Sequence, residues 1–509
     1  MSGKWPGGFI NKTAPTVVGP TDGEGGSASG IWTLDQVADY ESKGLWPMAT
    51  LDKKLYMWGN GGQGALGDGT TTGKSSPVQV GALVTWKAIT CGYRVGLAIK
   101  KDGTMWTWGY NNVGALGLGN LTNYSSPVQI GALTTWSVNL ACGQASGAAI
   151  KTDGTLWTWG YAAQGQLGHG NTTSISSPVQ VGALATWSKV AMGNNGYHTA
   201  AIKTDGTLWT WGMNHQGALG LGNTTYYSSP MQVGALTTWS TVTAGYAITC
   251  AIKTDGTIWT WGKNNVGQLG TNNTTAYSSP VQLGALTTWL SVSAAGYNMI
   301  AVKTDGTLWS WGHNNVGNLG DGTTTNRSSP VQVGALTTWS TVGAGYSFAA
   351  AVKTDGTLWT WGYNNYGQLG VGNTTNTSSP VQVGALTTWD KIAWTGPYGS
   401  LYAIKTDGTL WAWGRNANGE LGVGNTTDYS SPVQVGGLTT WADITAGNGF
   451  AIGTTTGGAL YAWGSGGSGK LGQGNTTAYS SPVQVGALTT WHQTLPRLFG
   501  TEHFVALTE

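Results

Sequence analysis

Charge is scarce in this chain. Only 9% of its 509 residues are Asp, Glu, Lys or Arg, where an ordinary soluble domain has about a quarter. The formal net charge is +2 and no block of Lys or Arg stands out, so nucleic acid is not an expected partner. Cysteine is nearly missing. Cys91, Cys142 and Cys250 cannot build a complete disulfide framework and are expected to be buried free thiols. No apolar run is long enough to span a bilayer, so membrane insertion is not expected. The opening MSGKWPGGFINK lacks the apolar core of a secretion signal, which points to a soluble protein made in a cytoplasm. The repeats described below contain no stretch with a 3.6-residue apolar period, which excludes a helical solenoid.

What the chain has in excess is glycine (84) and tryptophan (29). Glycine alone at that level would suit disorder, but disorder does not come with so many large aromatic rings. Together they indicate short strands, tight turns and aromatic side chains packed between layers. Self-similarity dominates everything after residue 50. Trp-Gly recurs at Trp58, Trp108, Trp159, Trp211, Trp261, Trp311, Trp361, Trp413 and Trp463, at spacings of 50 to 52 residues. Ser-Ser-Pro recurs nine times in step, from Pro77 to Pro482, and a third marker runs from Trp86 to Trp491.

One repeat can be parsed from residue 200. AAIKTDGTLWTWG reads as a hairpin around Asp205-Gly206, a pair suited to a two-residue turn. That turn sets Ile202 opposite Trp209 and Ala200 opposite Trp211, with Lys203, Leu208 and Thr210 on the other face. The Gly- and Asn-rich loop MNHQGALGLGNTTYYS follows. Pro230 then opens a short strand, where its missing N–H is tolerated, and TTWSTVTA forms a fourth. Four short antiparallel strands in about 50 residues are the content of one propeller blade.

The ends complete one another. The repeats start with LDKKLYMWG, the second arm of a hairpin, and stop at HFVALTE, a first arm without its second. Joining them gives nine of every strand type and removes two exposed strand edges, which are templates for aggregation. The expected fold is therefore all-β. It is a closed β-propeller of about nine four-stranded blades over residues 51–509, with the termini sharing one blade. A short N-terminal arm with one small helix, residues 1–50, precedes it.

The pattern W-G-x-N-x-x-G-x-L-G, then SPVQV, then A-I-K-T-D-G-T-L-W resembles the repeat of the regulator of chromosome condensation family, over about residues 51–509. The resemblance implies a propeller, typically seven-bladed and often closed by a blade shared between the termini. Nine units imply a larger ring or two units outside a seven-bladed one, and the strand accounting favours one nine-bladed ring. The founding members exchange nucleotide on a small GTPase and dock on chromatin. Those activities need a basic surface and a distinctive loop that this sequence does not show.

In the arm, Thr33 suits an N-cap with Gln36 three residues on, and Gly44 suits the C′ position of a short helix. Its apolar residues Trp32, Leu34, Val37, Leu45 and Trp46 need a surface to pack on, either the propeller itself or an assembly. The phrase SASGIWTLDQVADYESKGLWP also resembles a segment of tailed-bacteriophage virion proteins. That resemblance implies attachment to other virion proteins through residues 1–50, a propeller displayed outward, and residence in the virion. Without it, a cytoplasmic scaffold or inhibitor is the alternative.

Catalysis is not expected. The recurring Asp of KTDG, from Asp102 to Asp407, is explained better by turn chemistry than by calcium. The six histidines offer no zinc spacing, Ser-Ser-Pro has no partnered base, and the N-x-T triplets read as turns. Neither a metal nor a cofactor is implied. What varies between repeats is the connection reading GYRVG, GNNGYHT, GYAIT, GYNMI, GYSFA, TGPYGS and GNGFA. Placed alike in every blade, Tyr93, Arg94, Asn195, Tyr197, His198, Tyr246, Tyr297, Phe348, Tyr398 and Phe450 would form an aromatic and amide-rich crown. Such a crown suits a host-surface glycan or a protein. The alternative is that these side chains pack inward, and the Asn-Thr-Thr loops are the competing surface. Whether the protein forms a homo-oligomer is open.

Overall fold

The computed structural model describes residues 54–508, apart from 82–84, 93, 144, 194–196, 246, 285–288, 296–297, 336, 345–346, 396–398 and 495–502. The arm, with Trp32, Leu34, Val37, Leu45 and Trp46, lies outside the described residues. Nine four-stranded antiparallel sheets account for the described strands. Blade 1 is built from both ends of the chain: Trp491–Thr494, His503–Thr508, Lys54–Gly59 and Lys74–Gln79 lie side by side. Its junction is a regular antiparallel ladder from Lys54 opposite Thr508 to Gly59 opposite His503. Blades 2 to 9 begin at Trp86, Trp136, Trp187, Trp239, Trp289, Trp339, Trp389 and Trp441.

Blade 4 shows the local logic in its strands Trp187–Met192, His198–Lys203, Leu208–Gly212 and Tyr227–Gln232. The hairpin register differs from the sequence expectation by one residue. Ala201 opposes Trp209 and Ile202 opposes Leu208, because the turn has three residues rather than two. Gly206 N–H donates to Lys203 O at 3.0 Å and Lys203 N–H to Thr207 O at 3.0 Å. Gly206 takes φ +77°, the left-handed position that such a loop requires. A Cβ there would stand 2.1 Å from Thr237 O. The fourth strand also starts earlier than expected, at Tyr227, and Pro230 sits at the irregularity between Thr210 and Gly212 where the ladder shifts register.

First strands of neighbouring blades lie against one another, as Trp187–Met192 does with Trp136–Cys142 and Trp239–Ala244. They are therefore innermost and the Ser-Ser-Pro strands outermost. Both faces of the middle strands are covered, each by an adjoining blade. Between blades 4 and 5, Ala200, Ile202, Leu208 and Val233 meet Trp239, Val242 and Trp261. Between blades 9 and 1, Phe450, Ile452, Leu460 and Val485 meet Trp58, Trp491 and Ala506.

Two hydrogen bonds recur at every junction. The indole N–H of each Trp-Gly tryptophan donates to a loop carbonyl of the preceding blade, as Trp211 does to Gln166 O at 2.9 Å. Trp58 makes the same bond to Lys470 O at 2.9 Å, joining the two ends of the chain. A loop N–H likewise donates to the first serine of the next blade's Ser-Ser-Pro, as in Gly170 to Ser228 O at 2.7 Å and Gly474 to Ser75 O at 2.5 Å. The succession of blades thus returns to its start. Each of these tryptophans is fully buried. Removing on the order of 200 Å² from water stabilises each by about 5 kcal/mol at 25 cal/mol/Å².

Candidate interaction surface

Antiparallel order sorts the connections by face. The links between first and second strands and between third and fourth strands emerge on one side, here the loop face. The KTDG turns and the blade-to-blade linkers emerge on the other, the turn face. The variable connections and the Asn-Thr-Thr loops, alternatives in the sequence reading, therefore share one face.

Of the ten crown residues, Tyr93, Asn195, Tyr246, Tyr297 and Tyr398 lie outside the described residues. His198 is 1% exposed, Phe348 1% and Phe450 5%, so at these three positions the inward-packing alternative holds. They begin second strands, whose faces are covered by adjoining blades. His198 Nε2 meets Thr249 Oγ1 of blade 5 at 3.0 Å, and burial lowers its pKa to about 4. Arg94 and Tyr197 remain partly exposed, and Tyr197 packs on Tyr161 of blade 3 at 5.9 Å.

Beside each connection stands a residue that sequence reasoning missed, the x of W-G-x-N. Its backbone N–H is bonded to the connection, as in Met213 to Tyr197 O at 2.8 Å, Tyr110 to Arg94 O at 3.0 Å and Tyr363 to Ser347 O at 2.9 Å. Around the propeller this position reads Asn60, Tyr110, Tyr161, Met213, Lys263, His313, Tyr363, Arg415 and Ser465. It is fully buried in none of them. The signal was available, since x takes seven residue types in nine repeats while W-G and the surrounding positions hardly change. At blades 7 and 8 the side chains converge. Tyr363 and Tyr366 meet edge-on at 6.3 Å, and the Arg415 guanidinium lies 5.4 Å from the Tyr366 ring centre.

The fixed positions have structural duties. Asn214 accepts from Leu219 N–H at 2.9 Å and donates to Asn223 O and Thr225 O, which shapes the long loop. Asn223, of an N-x-T triplet, accepts from Thr225 N–H at 2.9 Å. In the corresponding loop of blade 8, Glu420 is buried and accepts from Asn418 N–H at 2.6 Å. Burial raises its pKa above the usual carboxylate value. Cys142 and Cys250 are free, and burial pushes both thiols up to about 12.

On the turn face, Asp205 accepts from Thr207 N–H at 2.9 Å and Oγ1 at 2.6 Å, and Thr207 Oγ1 accepts from Trp209 Nε1 at 2.9 Å. The threonine bonds hold the Asp205 carboxyl below its ordinary pKa. Lys203 shares the tryptophan face rather than the opposite one, its Nζ 3.7 Å from the Trp209 ring centre and 5.0 Å from that of Trp187. Desolvation lowers its pKa. K-T-D-G-T-L-W is thus one interlocked structural motif, and it is spent on the fold.

These features define a nine-bladed β-propeller with a uniform frame and a loop face that differs from blade to blade. Residues 188–506 match the RCC1-like domain, and residues 52–99, 102–150 and 153–202 match the Regulator of chromosome condensation (RCC1) repeat. The chain belongs to the RCC1-like family. It is similar to the E3 ubiquitin-protein ligase HERC2 of Homo sapiens and of Mus musculus, each 31% identical over 195 residues. That match spans 37% of this chain but only 4% of those relatives. Among solved structures it is similar to yeast RCC1 (Prp20) bound to Kap60, 18% identical with a TM-score of 0.45, covering 69% of this chain and 88% of that one. Human WBSCR16 gives the same identity and TM-score, covering 90% and 99%.

Proposed function

We propose that this propeller is a non-enzymatic binding protein whose loop face engages a partner, and that it serves as a bacteriophage virion component. The observation behind the binding role is the contrast between a frame repeated nine times and a loop face on which the connections differ in every blade and the x position takes seven residue types. Selection for stability alone would leave those positions as uniform as the rest. The clustered tyrosines, with Arg415 among them, are residue types enriched at protein hot spots and suited to glycans. Shallow sites of this kind bind weakly one at a time, and many copies on a particle would compensate through avidity. The virion setting rests on the likeness of residues 27–47 to phage structural proteins. In that setting residues 1–50 attach to other virion proteins, and the propeller meets a host-surface glycan or protein.

The likeness to HERC2, a cellular protein, favours a second reading: a cytoplasmic scaffold or inhibitor whose loop face holds one protein partner. Mass spectrometry of purified particles separates the two. Co-purification that is lost when residues 1–49 are removed supports the virion role, and absence from particles removes it. For the binding face, replacing Tyr161, Tyr363 and Arg415 with Ala should reduce attachment to target cells or to the partner at least tenfold. Melting should move little, since partly exposed side chains of this kind contribute within about 0.5 kcal/mol. Undiminished binding by the folded triple variant would eliminate this face.

A further inference from the structure

In six blades the aromatic that precedes Trp-Gly by two residues carries the protein's own ammonium group. Lys100, Lys151, Lys203, Lys253, Lys303 and Lys405 place Nζ 3.6–4.4 Å from the ring centres of Trp106, Trp157, Trp209, Trp259, Trp309 and Trp411. Each ammonium also lies 5.0–5.9 Å from the tryptophan that opens the blade's first strand. The pair of rings is therefore a built ammonium seat, facing the preceding blade.

Blade 1 keeps the rings and lacks the lysine, as does blade 9, where Thr455 stands opposite Trp441 and Tyr461 meets that ring at 5.3 Å. Ladder register puts Thr508 opposite Trp491, where Lys203 stands opposite Trp187 in blade 4. Thr508 is buried and too short to reach across the rings. Tyr56 and Trp491 remain, edge-on at 5.2 Å. A groove of about 310 Å³ opens on the outer wall between blades 9 and 1 at this point, lined by both rings with Ser76, Pro77, Gln473 and Leu488. A second groove, of about 410 Å³, opens at Trp359. There Lys353 has turned to Asp355, with Nζ 3.0 Å from Oδ2. Both grooves stand where the aromatic has no lysine over it.

We propose that the groove between blades 9 and 1 binds the ammonium head of a lysine side chain presented by a partner protein. The chemistry is that of the six internal copies. A ring quadrupole attracts an alkylammonium ion placed over its face, and Ser76 and Gln473 offer oxygen acceptors for its N–H donors. The volume is that of a small-ligand site and accommodates the methylene stem. The groove lies on the outer wall and is independent of the loop-face reading.

The test is saturation-transfer NMR on the full chain with Nα-acetyl-lysine methylamide as probe and its norleucine counterpart, which keeps the four-carbon stem and lacks the ammonium group, as control. The lysine compound should saturate and the norleucine compound should bind at least tenfold more weakly. Thr508→Lys should refill the seat, abolishing the signal and raising the melting temperature. Tyr56→Leu keeps bulk while removing the quadrupole and should weaken binding at least fivefold in a protein that still folds. Equal binding of the two probes, no saturation by the lysine compound, or undiminished binding in folded Thr508→Lys would each overturn the proposal.

Discussion

Deleting residues 502–509 removes the strand that lies between the two ends of the chain in blade 1. Six residues of that strand pair with Lys54–Gly59 and three with Trp491–Thr494, so roughly nine backbone hydrogen bonds are lost. At about 1 kcal/mol net each, the ladder alone contributes on the order of 10 kcal/mol. Loss of the strand also uncovers Leu55, Met57, Trp58 and Trp491, all buried in the intact protein, and leaves edges on both sides of the gap. The total approaches the 5–15 kcal/mol that stabilises a whole domain. In a ring, every blade is braced by two neighbours, so opening one junction weakens all nine. Tryptophan fluorescence and circular dichroism on heating should show the truncated chain unfolding far below the intact protein, with aggregation promoted by the exposed edges. A permutant with new ends in the exposed linker after Gly234, and Thr508 joined to Lys54 by a Thr-Asp-Gly turn, should melt at or above the parent temperature. A truncated chain that melts like the parent would refute ring closure as a source of stability.

Three further outcomes follow from buried groups. Trp211→Phe removes one of the two donors to Gln166 O, which keeps Thr199 Oγ1 at 2.8 Å, and the lost bond should cost about 1 kcal/mol of unfolding free energy in denaturant melts, whereas a neutral result would make the junction bond dispensable. His198 has its pKa lowered from 6.5 to about 4, so its contribution is complete above pH 6.5 and is lost as pH falls toward 4. That is about 3 kcal/mol, and His198→Asn, the residue found at the equivalent Asn298 of blade 6, should flatten that slope in urea melts between pH 4 and 7. Glu420 has the opposite sign. Its raised pKa means that the folded state holds the proton more tightly, so stability falls as pH rises through the carboxylate range. Glu420→Gln should remove that dependence, because Gln368 accepts the same loop N–H one blade earlier, from Tyr366 at 2.9 Å. A variant with an unchanged pH profile would contradict this account of the buried carboxylate.

The sequence by itself determined the nine repeats, the four strands in each and the shared blade. A 50-residue period, Asp-Gly turns and half-hairpins at the two ends are local or countable signals. Hairpin register was not legible, because Asp205-Gly206 suits two- and three-residue turns alike. The choice fell to Gly206 in its left-handed conformation and to Asp205 held by Thr207. Nor could alternation tell the surroundings of Lys203, His198, Phe348 or Phe450. A period of two separates inside from outside only when one face of a sheet meets water, and here both faces of the middle strands are roofed by other blades. The loop face was equally a tertiary matter. Tyr161 and Tyr197, 36 residues apart, and Arg415 and Tyr366, 49 apart, come together only because neighbouring blades turn the same ends of their strands toward one side.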